Sequence, residues 1–171
     1  MRKIPRQIAD RLPAAADLFA EKGLNDSKIE DVAAVTGVPK ATLYYYFTGK
    51  EEILAYLLED LLTDIADAVA AIVHTDGTGA ERLELVIGAQ LRAMAQRPAV
   101  CRALIGELGR AARMPVIAEM INTAYQQPVE ALLVAGARDG SLVAQPDPRS
   151  ASMALFGAVT HYGDVAGGAS Y

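Results

Sequence analysis

Tryptophan is absent from this chain of 171 residues, cysteine occurs once, and aromatic side chains fill only 6% of positions. The lone Cys101 excludes an intrachain disulfide and a thiolate metal cluster. In apolar surroundings it reads as a small buried hydrophobe, with redox sensing the sharper alternative. Long apolar runs are missing as well. The longest stretch without a charged side chain, Ser150 to Gly163, has 14 residues, short of the ~20 that span a bilayer. No signal-type apolar run opens the sequence, so the expectation is a cytoplasmic protein with no membrane partner. Catalytic signatures are lacking too. The two histidines, His74 and His161, stand alone, with no nucleophile motif, no phosphate-cradling Gly-rich loop after a strand, and no H-E-x-x-H or paired-cysteine spacing. No enzyme, no cofactor and no metal site is expected, and Asp60, Asp64 and Asp67 read as a solvated helix face rather than ligands.

What is present points to helices and to an uneven charge. Apolar residues make up 52%, with alanine prominent. The net charge of −5 argues at first against nucleic acid, but residues 1–50 carry +2 and residues 51–171 carry −7. Every lysine (Lys3, Lys22, Lys28, Lys40, Lys50) lies in the first part. A basic module on an acidic body keeps affinity for phosphate while the rest of the surface opposes it.

The stretch from Ser27 to Lys50 reads as a DNA-reading helix-turn-helix. Ser27 and Glu30 have the S-x-x-E spacing of a capping box. The helix they open places Ile29, Val32, Ala33 and Thr36 on one face and stops at Gly37, which tolerates φ > 0. Pro39 suits the first position of a second helix. On a wheel of ~100° per residue that helix turns Leu43, Tyr46 and Phe47 to a core and Lys40, Ala41, Thr42, Tyr44 and Tyr45 outward. Phenols, a hydroxyl and an amine suit phosphates, while Ala41 lets the backbone approach base edges. Two tyrosines covering a core edge is the plainer alternative. Thr48 and Glu51 repeat the capping spacing, which sets Lys50 at the positive end of the next helix; an external anion would compensate both. The expected DNA contacts are Ser27, Lys28, Pro39, Lys40, Ala41, Thr42, Tyr44, Tyr45 and Lys50.

ADLFAEKG (Ala16–Gly23) followed by IEDVAAVTGVPKATLYYYFTGKEEIL (Ile29–Leu54) resembles the DNA-binding domain of the TetR-type transcriptional regulators, whose signature runs close to LFAEKG, IADIA, AGVSKGTLYYYF and KEEL. Pro39 and Ala41 stand where Ser and Gly are usual, so a phosphate-binding hydroxyl is lost and a methyl faces the bases. The resemblance implies an all-α homodimer, with a three-helix helix-turn-helix domain (residues 1–50) ahead of a ligand-binding and dimerisation bundle (residues 51–171). It implies as partners a double-stranded DNA operator and a small-molecule effector. A helical adaptor that uses the same groove for another protein is the competing class.

Elsewhere the pattern is helical throughout. Arg2, Lys3 and Arg6 form a basic arm that either touches DNA or is solvated. A first helix is expected from Asp10 to Lys22, with Leu12, Ala15, Ala16 and Phe19 on one face. Glu51 to Val73 should form a long amphipathic helix, followed by helices over 80–96, 99–110 and from Met114 onward. Pro128 is expected to kink or break that one, and a last helix should run from Pro148 to Asp164, with a frayed tail to Tyr171. Candidate pocket walls are Leu57, Leu61, Leu91, Met94 and Cys101, with Leu104, Met120, Tyr125 and Phe156; all could equally be plain core. Gln90, Asn122, Tyr125, Thr160 and His161 are the few polar groups able to orient a ligand, so a mainly apolar effector is expected. Val129, Leu132, Leu133 and Gly136, with Leu155, Ala158, Val159 and Tyr162, are candidates for a two-fold interface or for an ordinary intrachain core.

Overall fold

The computed structural model describes residues 4–106 and 115–168, with side chains to residue 162. Among these residues the regular elements are helical: α1 (Arg6–Ala9), α2 (Ala14–Lys22), α3 (Ile29–Thr36), α4 (Lys40–Tyr46), α5 (Lys50–Val73), α6 (Gly79–Gln96), α7 (Pro98–Gly106), α8 (Pro115–Ile121), a π turn (Asn122–Gln126), α9 (Gln127–Asp139) and α10 (Pro148–Gly168). The all-α expectation holds. Two units divide the chain, Met1–Asp60 with Ala99–Ile117 and Leu61–Pro98 with Ala118–Tyr171. Beyond residues 1–50, the first unit takes in the opening turns of α5 and all of α7 but Pro98.

In the first unit the helix expected from Asp10 to Lys22 begins only at Ala14, with Pro13 as its N-cap, and the short α1 ends ahead of it at Ala9. Pro13 has no N–H to give the Ala9 carbonyl, so the backbone tightens there to bonds from Leu12 N–H to Ala9 O (3.3 Å) and from Ala15 N–H to Leu12 O (2.9 Å). Leu12, Ala15, Ala16 and Phe19 are all buried, and Leu24, Ile29, Val32, Val38, Leu43 and Phe47 complete the core around them. Arg6 opens α1 and lies 3.8 Å from Asp10; Arg2 and Lys3 of the arm lie outside the described residues, as does Arg110, the expected end of α7. Cys101 is buried in α7, in keeping with a small hydrophobe. Helix α5 starts at Lys50 because Thr48 closes on Glu52 rather than on Glu51: its N–H and hydroxyl both donate to Glu52 Oε2, at 2.6 and 2.8 Å. The 24 residues of α5 rise about 36 Å at 1.5 Å each.

In the second unit α6, α9, α10 and the π turn pack on one another. Helix α6 has a cap that reads directly from T-G-A-E: the Thr78 hydroxyl accepts from Glu81 N–H at 3.3 Å, and the Glu81 carboxylate accepts from Thr78 N–H at 2.8 Å. Asp139 and Ser141 reach across to take the N–H groups of Gly79 (2.7 Å) and Ala80 (3.1 Å). The Ser141 hydroxyl and the amides of Gly79 and Ser141 hold the Asp139 carboxyl below the usual carboxylate range. The helix expected from Met114 onward leaves the α register ahead of Pro128, which stands in the first turn of α9. It widens there, with Gln127 N–H bonding Asn122 O five residues back, a register that absorbs the N–H missing at the proline. Helix α10 continues to Gly168, four residues past its expected end, and residues 169–171 lie outside the described part. Among the described helices none is long and apolar enough to cross a membrane.

Helices α6 and α9 touch backbone to backbone at two glycines. A Cβ on Gly79 would stand 2.3 Å from the Gly136 backbone, and one on Gly136 would stand 2.5 Å from the Leu142 side chain. Neither neighbour can yield without moving a helix or repacking Leu142. Gly79→Ala is therefore expected to lower stability in urea unfolding by about 1–3 kcal/mol. Gly88→Ala, whose methyl meets only the flexible end of Arg92, should leave stability unchanged or slightly raised.

Candidate nucleic-acid interface

Helix α3 starts one residue later than the S-x-x-E spacing suggests. Ser27 is 1% exposed; its hydroxyl donates back to Gly23 O at 2.6 Å, closing the end of α2. Lys28 takes the N-cap place instead, and its N–H donates to Asp31 Oδ2 at 2.9 Å. Asp31 also accepts from Lys22 Nζ at 2.6 Å. These bonds hold its carboxyl low, the Lys22 contact first. The shift by one residue has a physical cause: Ser27 can cap α3 only by giving up the bond that ends α2. As a DNA contact Ser27 is accordingly corrected, since its hydroxyl is inside the fold.

The turn between α3 and α4 is locked by side chains from both directions. Gly37 sits at φ 64°, ψ 15°, a conformation that costs a residue with Cβ. The buried Thr36 hydroxyl donates to Val32 O at 2.7 Å and accepts from Val38 N–H at 3.3 Å. Arg11 Nη1 donates to Gly37 O at 3.1 Å. Pro39, with φ −55° and ψ 139°, is the N-cap of α4 rather than its first helical residue.

Helix α4 then presents the face expected of it. Leu43 and Phe47 are buried, Tyr46 is half-buried, and Tyr44 and Tyr45 are 53% and 60% exposed. Pro39, Lys40 and Ala41 are exposed beside them, Thr42 is half-buried, and Lys28 is exposed at the start of α3. Lys40 Nζ stands 5.8 Å from the centroid of the Tyr44 ring and donates to Glu30 Oε1. Lys50 behaves differently from its expected role. Its ammonium donates to the carbonyls of Asn25 and Ser27, both at 2.8 Å, so the cation at the start of α5 finds its compensation inside the protein. It is a clamp on the α2–α3 loop.

The remaining candidates separate by unit. Leu57, Cys101 and Leu104 are buried in the first unit; Leu61, Met94, Tyr125 and Phe156 are buried in the second, where Leu91 and Met120 are half-buried. Tyr125 and Phe156 stack edge to face with ring centroids 5.1 Å apart. Gln90 Nε2 donates to Thr160 Oγ1 at 3.1 Å, while Gln90 Oε1 and the Tyr125 hydroxyl are buried without a hydrogen-bond partner. Burial pushes the Tyr125 phenol above its usual range. His161, expected among the buried polar groups, is exposed. Of the proposed interface residues, Val129, Leu132, Gly136 and Val159 are corrected: they are buried within the chain, the plain core that apolar spacing alone could not tell from an interface. Leu133 and Leu155 are half-buried, Ala158 is exposed, and Tyr162 is 65% exposed.

A family profile described as bacterial regulatory proteins, tetR family, matches residues 12–57, and one described as the tetracyclin repressor-like C-terminal domain matches residues 76–163. The chain belongs to the tetR family. The fatty acid metabolism regulator protein of Bacillus subtilis strain 168 is 26% identical over 156 residues, which cover 90% of this chain and 78% of that protein. The HTH-type transcriptional repressor KstR2 of Rhodococcus jostii strain RHA1 is 29% identical over 133 residues, 76% of this chain and 65% of its own length. Among solved structures, the regulator FadR from Bacillus subtilis in complex with stearoyl-CoA matches with a TM-score of 0.75 at 24% identity, over 95% of this chain and 89% of that one, a likeness of fold. The protein is thus a tetR-type DNA-binding transcriptional regulator, and α3–α4 is its helix-turn-helix.

Thr36 signals itself in sequence only as a helix-face residue; that its hydroxyl staples the turn is a tertiary fact. Thr36→Val keeps the shape but strands the buried Val38 N–H, and should cost about 1–3 kcal/mol in urea unfolding.

Proposed function

We propose that this tetR-type regulator docks α4 in the major groove of a palindromic operator as a homodimer, and that a mainly apolar effector releases it. The observation that carries the DNA half is the division of α4: buried Leu43 and Phe47 fix its rotation, and Tyr44, Tyr45, Lys40 and Ala41 are left facing solvent. Hydroxyls and an ammonium supply phosphate contacts that position the helix, and Ala41 marks its closest approach to base edges. Two such helices one duplex turn apart, about 34 Å, would read half-sites related by two-fold symmetry.

The dimer surface we assign is the outer side of α10. Met153 and Tyr162 are 48% and 65% exposed, and exposed Ala154 and Ala158 lie between them at helical spacing, small enough for a second copy of α10 to approach closely. The effector is assigned to the second unit. Met94 and Phe156 supply apolar surface there, and the unpartnered Gln90 Oε1 and Tyr125 hydroxyl supply an acceptor and a donor. Among the relatives are a fatty acid metabolism regulator and a structure with stearoyl-CoA, which agrees with a long apolar ligand. Release follows if the effector binds more tightly to a dimer whose α4 helices have the wrong spacing.

In a fluorescence anisotropy titration against an operator selected from random DNA, Tyr44→Phe with Tyr45→Phe should weaken binding on the order of tenfold, with the base preferences unchanged because phosphate contacts carry no sequence. Undiminished binding would remove the role given to that face. Ala158→Arg should yield monomers in sedimentation velocity and lose the two-fold-symmetric operator.

A further inference from the structure

Lys22, Lys40 and Lys50 of the DNA-binding unit are held by the protein itself. Lys22 Nζ lies 2.6 Å from Asp31 Oδ2, Lys50 is bound by two carbonyls, and Lys40 is paired with Glu30. Among the described lysines, Lys28 makes no ion pair. The Glu30–Lys40 pair differs from the other two in its position. It joins the start of α3 to the start of α4, both partners are about half exposed, at 56% and 49%, and Lys40 also leans on the Tyr44 ring. The pair therefore sits on the face that meets DNA, where an acidic side chain is electrostatically out of place. The hydrogen bond from Lys40 is the first cause holding the Glu30 carboxyl low, and the same bond raises the Lys40 ammonium.

We propose that Glu30 is a specificity-determining residue of the tetR-type DNA face: it occupies the Lys40 ammonium and so withholds from an arbitrary duplex a charge that only a closely seated operator phosphate can take over. The physical basis is a competition between anions. Non-specific binding is almost wholly a matter of free cations meeting hydrated phosphates, and against such a phosphate a carboxylate already in contact wins the ammonium. In the operator complex α4 lies deep in the groove, and a phosphate at hydrogen-bond distance, with the Tyr44 ring beside the stem, takes Glu30's place. Glu30 thus lowers affinity for all DNA but lowers it more where the fit is poor. This inference rests on the DNA-binding reading of α3–α4.

The experiment compares the wild type, Glu30→Gln, Lys40→Met and the double variant, full length, by anisotropy on a random-sequence duplex and on the selected operator across a salt series. Glu30→Gln should tighten random-duplex binding about three- to fivefold and steepen its slope of log K against log salt by about 0.9. It should tighten operator binding less, so that the operator-to-random ratio falls. With Lys40→Met in place the same change should lose most of its effect. Equal tightening on both duplexes, or an effect that persists in full without Lys40, would mean a general field of the carboxylate and overturn the proposal. Wild-type protein that binds neither duplex would overturn the DNA-binding reading itself, whereas salt-sensitive binding indifferent to Glu30 would overturn this inference alone.

Discussion

The orientation of α4 depends on one buried hydroxyl. Thr36 Oγ1 gives its proton to Val32 O and takes the N–H of Val38, which ties the end of α3 to the residue before the N-cap of α4. With Gly37 left-handed and its carbonyl held by Arg11, the chain has one way to leave α3. Leu43 and Phe47 then enter the core of the first unit, and the intervening Tyr44 and Tyr45 have nowhere to go but out. Their exposure is a geometric consequence of the turn; a helix rotated by one residue would bury a phenol and expose a leucine.

Charge on this unit is organised as pairs rather than as a positive patch. Asp31 serves both as the cap of α3 and as the partner of Lys22, and Glu30 serves Lys40. Exposed pairs of this kind contribute little to stability, so their main effect is on what the surface offers to a polyanion. Formal charge counted along the sequence overstates the free positive charge of the module. A reader of DNA built this way depends more on hydrogen-bond geometry and less on bulk attraction than the lysine distribution alone suggests.

The second unit shows a different economy. Gly79 and Gly136 let α6 and α9 meet at their backbones, and Asp139 and Ser141 use that closeness to cap α6 from another helix. Close backbone contact leaves less room to adjust at that end of the bundle. The π turn and the unpartnered polar atoms of Gln90 and Tyr125 lie among other residues of the unit, where hydrogen bonding is less fully satisfied. A wide helical turn and buried polar groups without partners both carry a cost, and a ligand able to bond those groups would offset it.

Helix periodicity was legible where burial follows a simple stripe: Leu12, Ala15, Ala16 and Phe19 in α2 and the preceding turn, and Ile53 to Val69 in α5, are buried as their spacing requires. The outward phenols of α4 were legible for the same reason. The reading failed where two local rules competed, as at Ser27, which could cap α3 or end α2, and at Pro13, which could lie within the first turn of a helix or cap it. It failed also where an apolar residue had two possible partners, as at Val129, Leu132 and Val159, whose burial inside the chain no spacing could distinguish from burial against a second copy. By itself the sequence determined the helices, the turn and the tetR-type motif, because these rest on interactions within a few residues. Which carboxylate holds which lysine, and which apolar face remains open, was decided only by tertiary structure, because those partners come from helices that folding alone brings together.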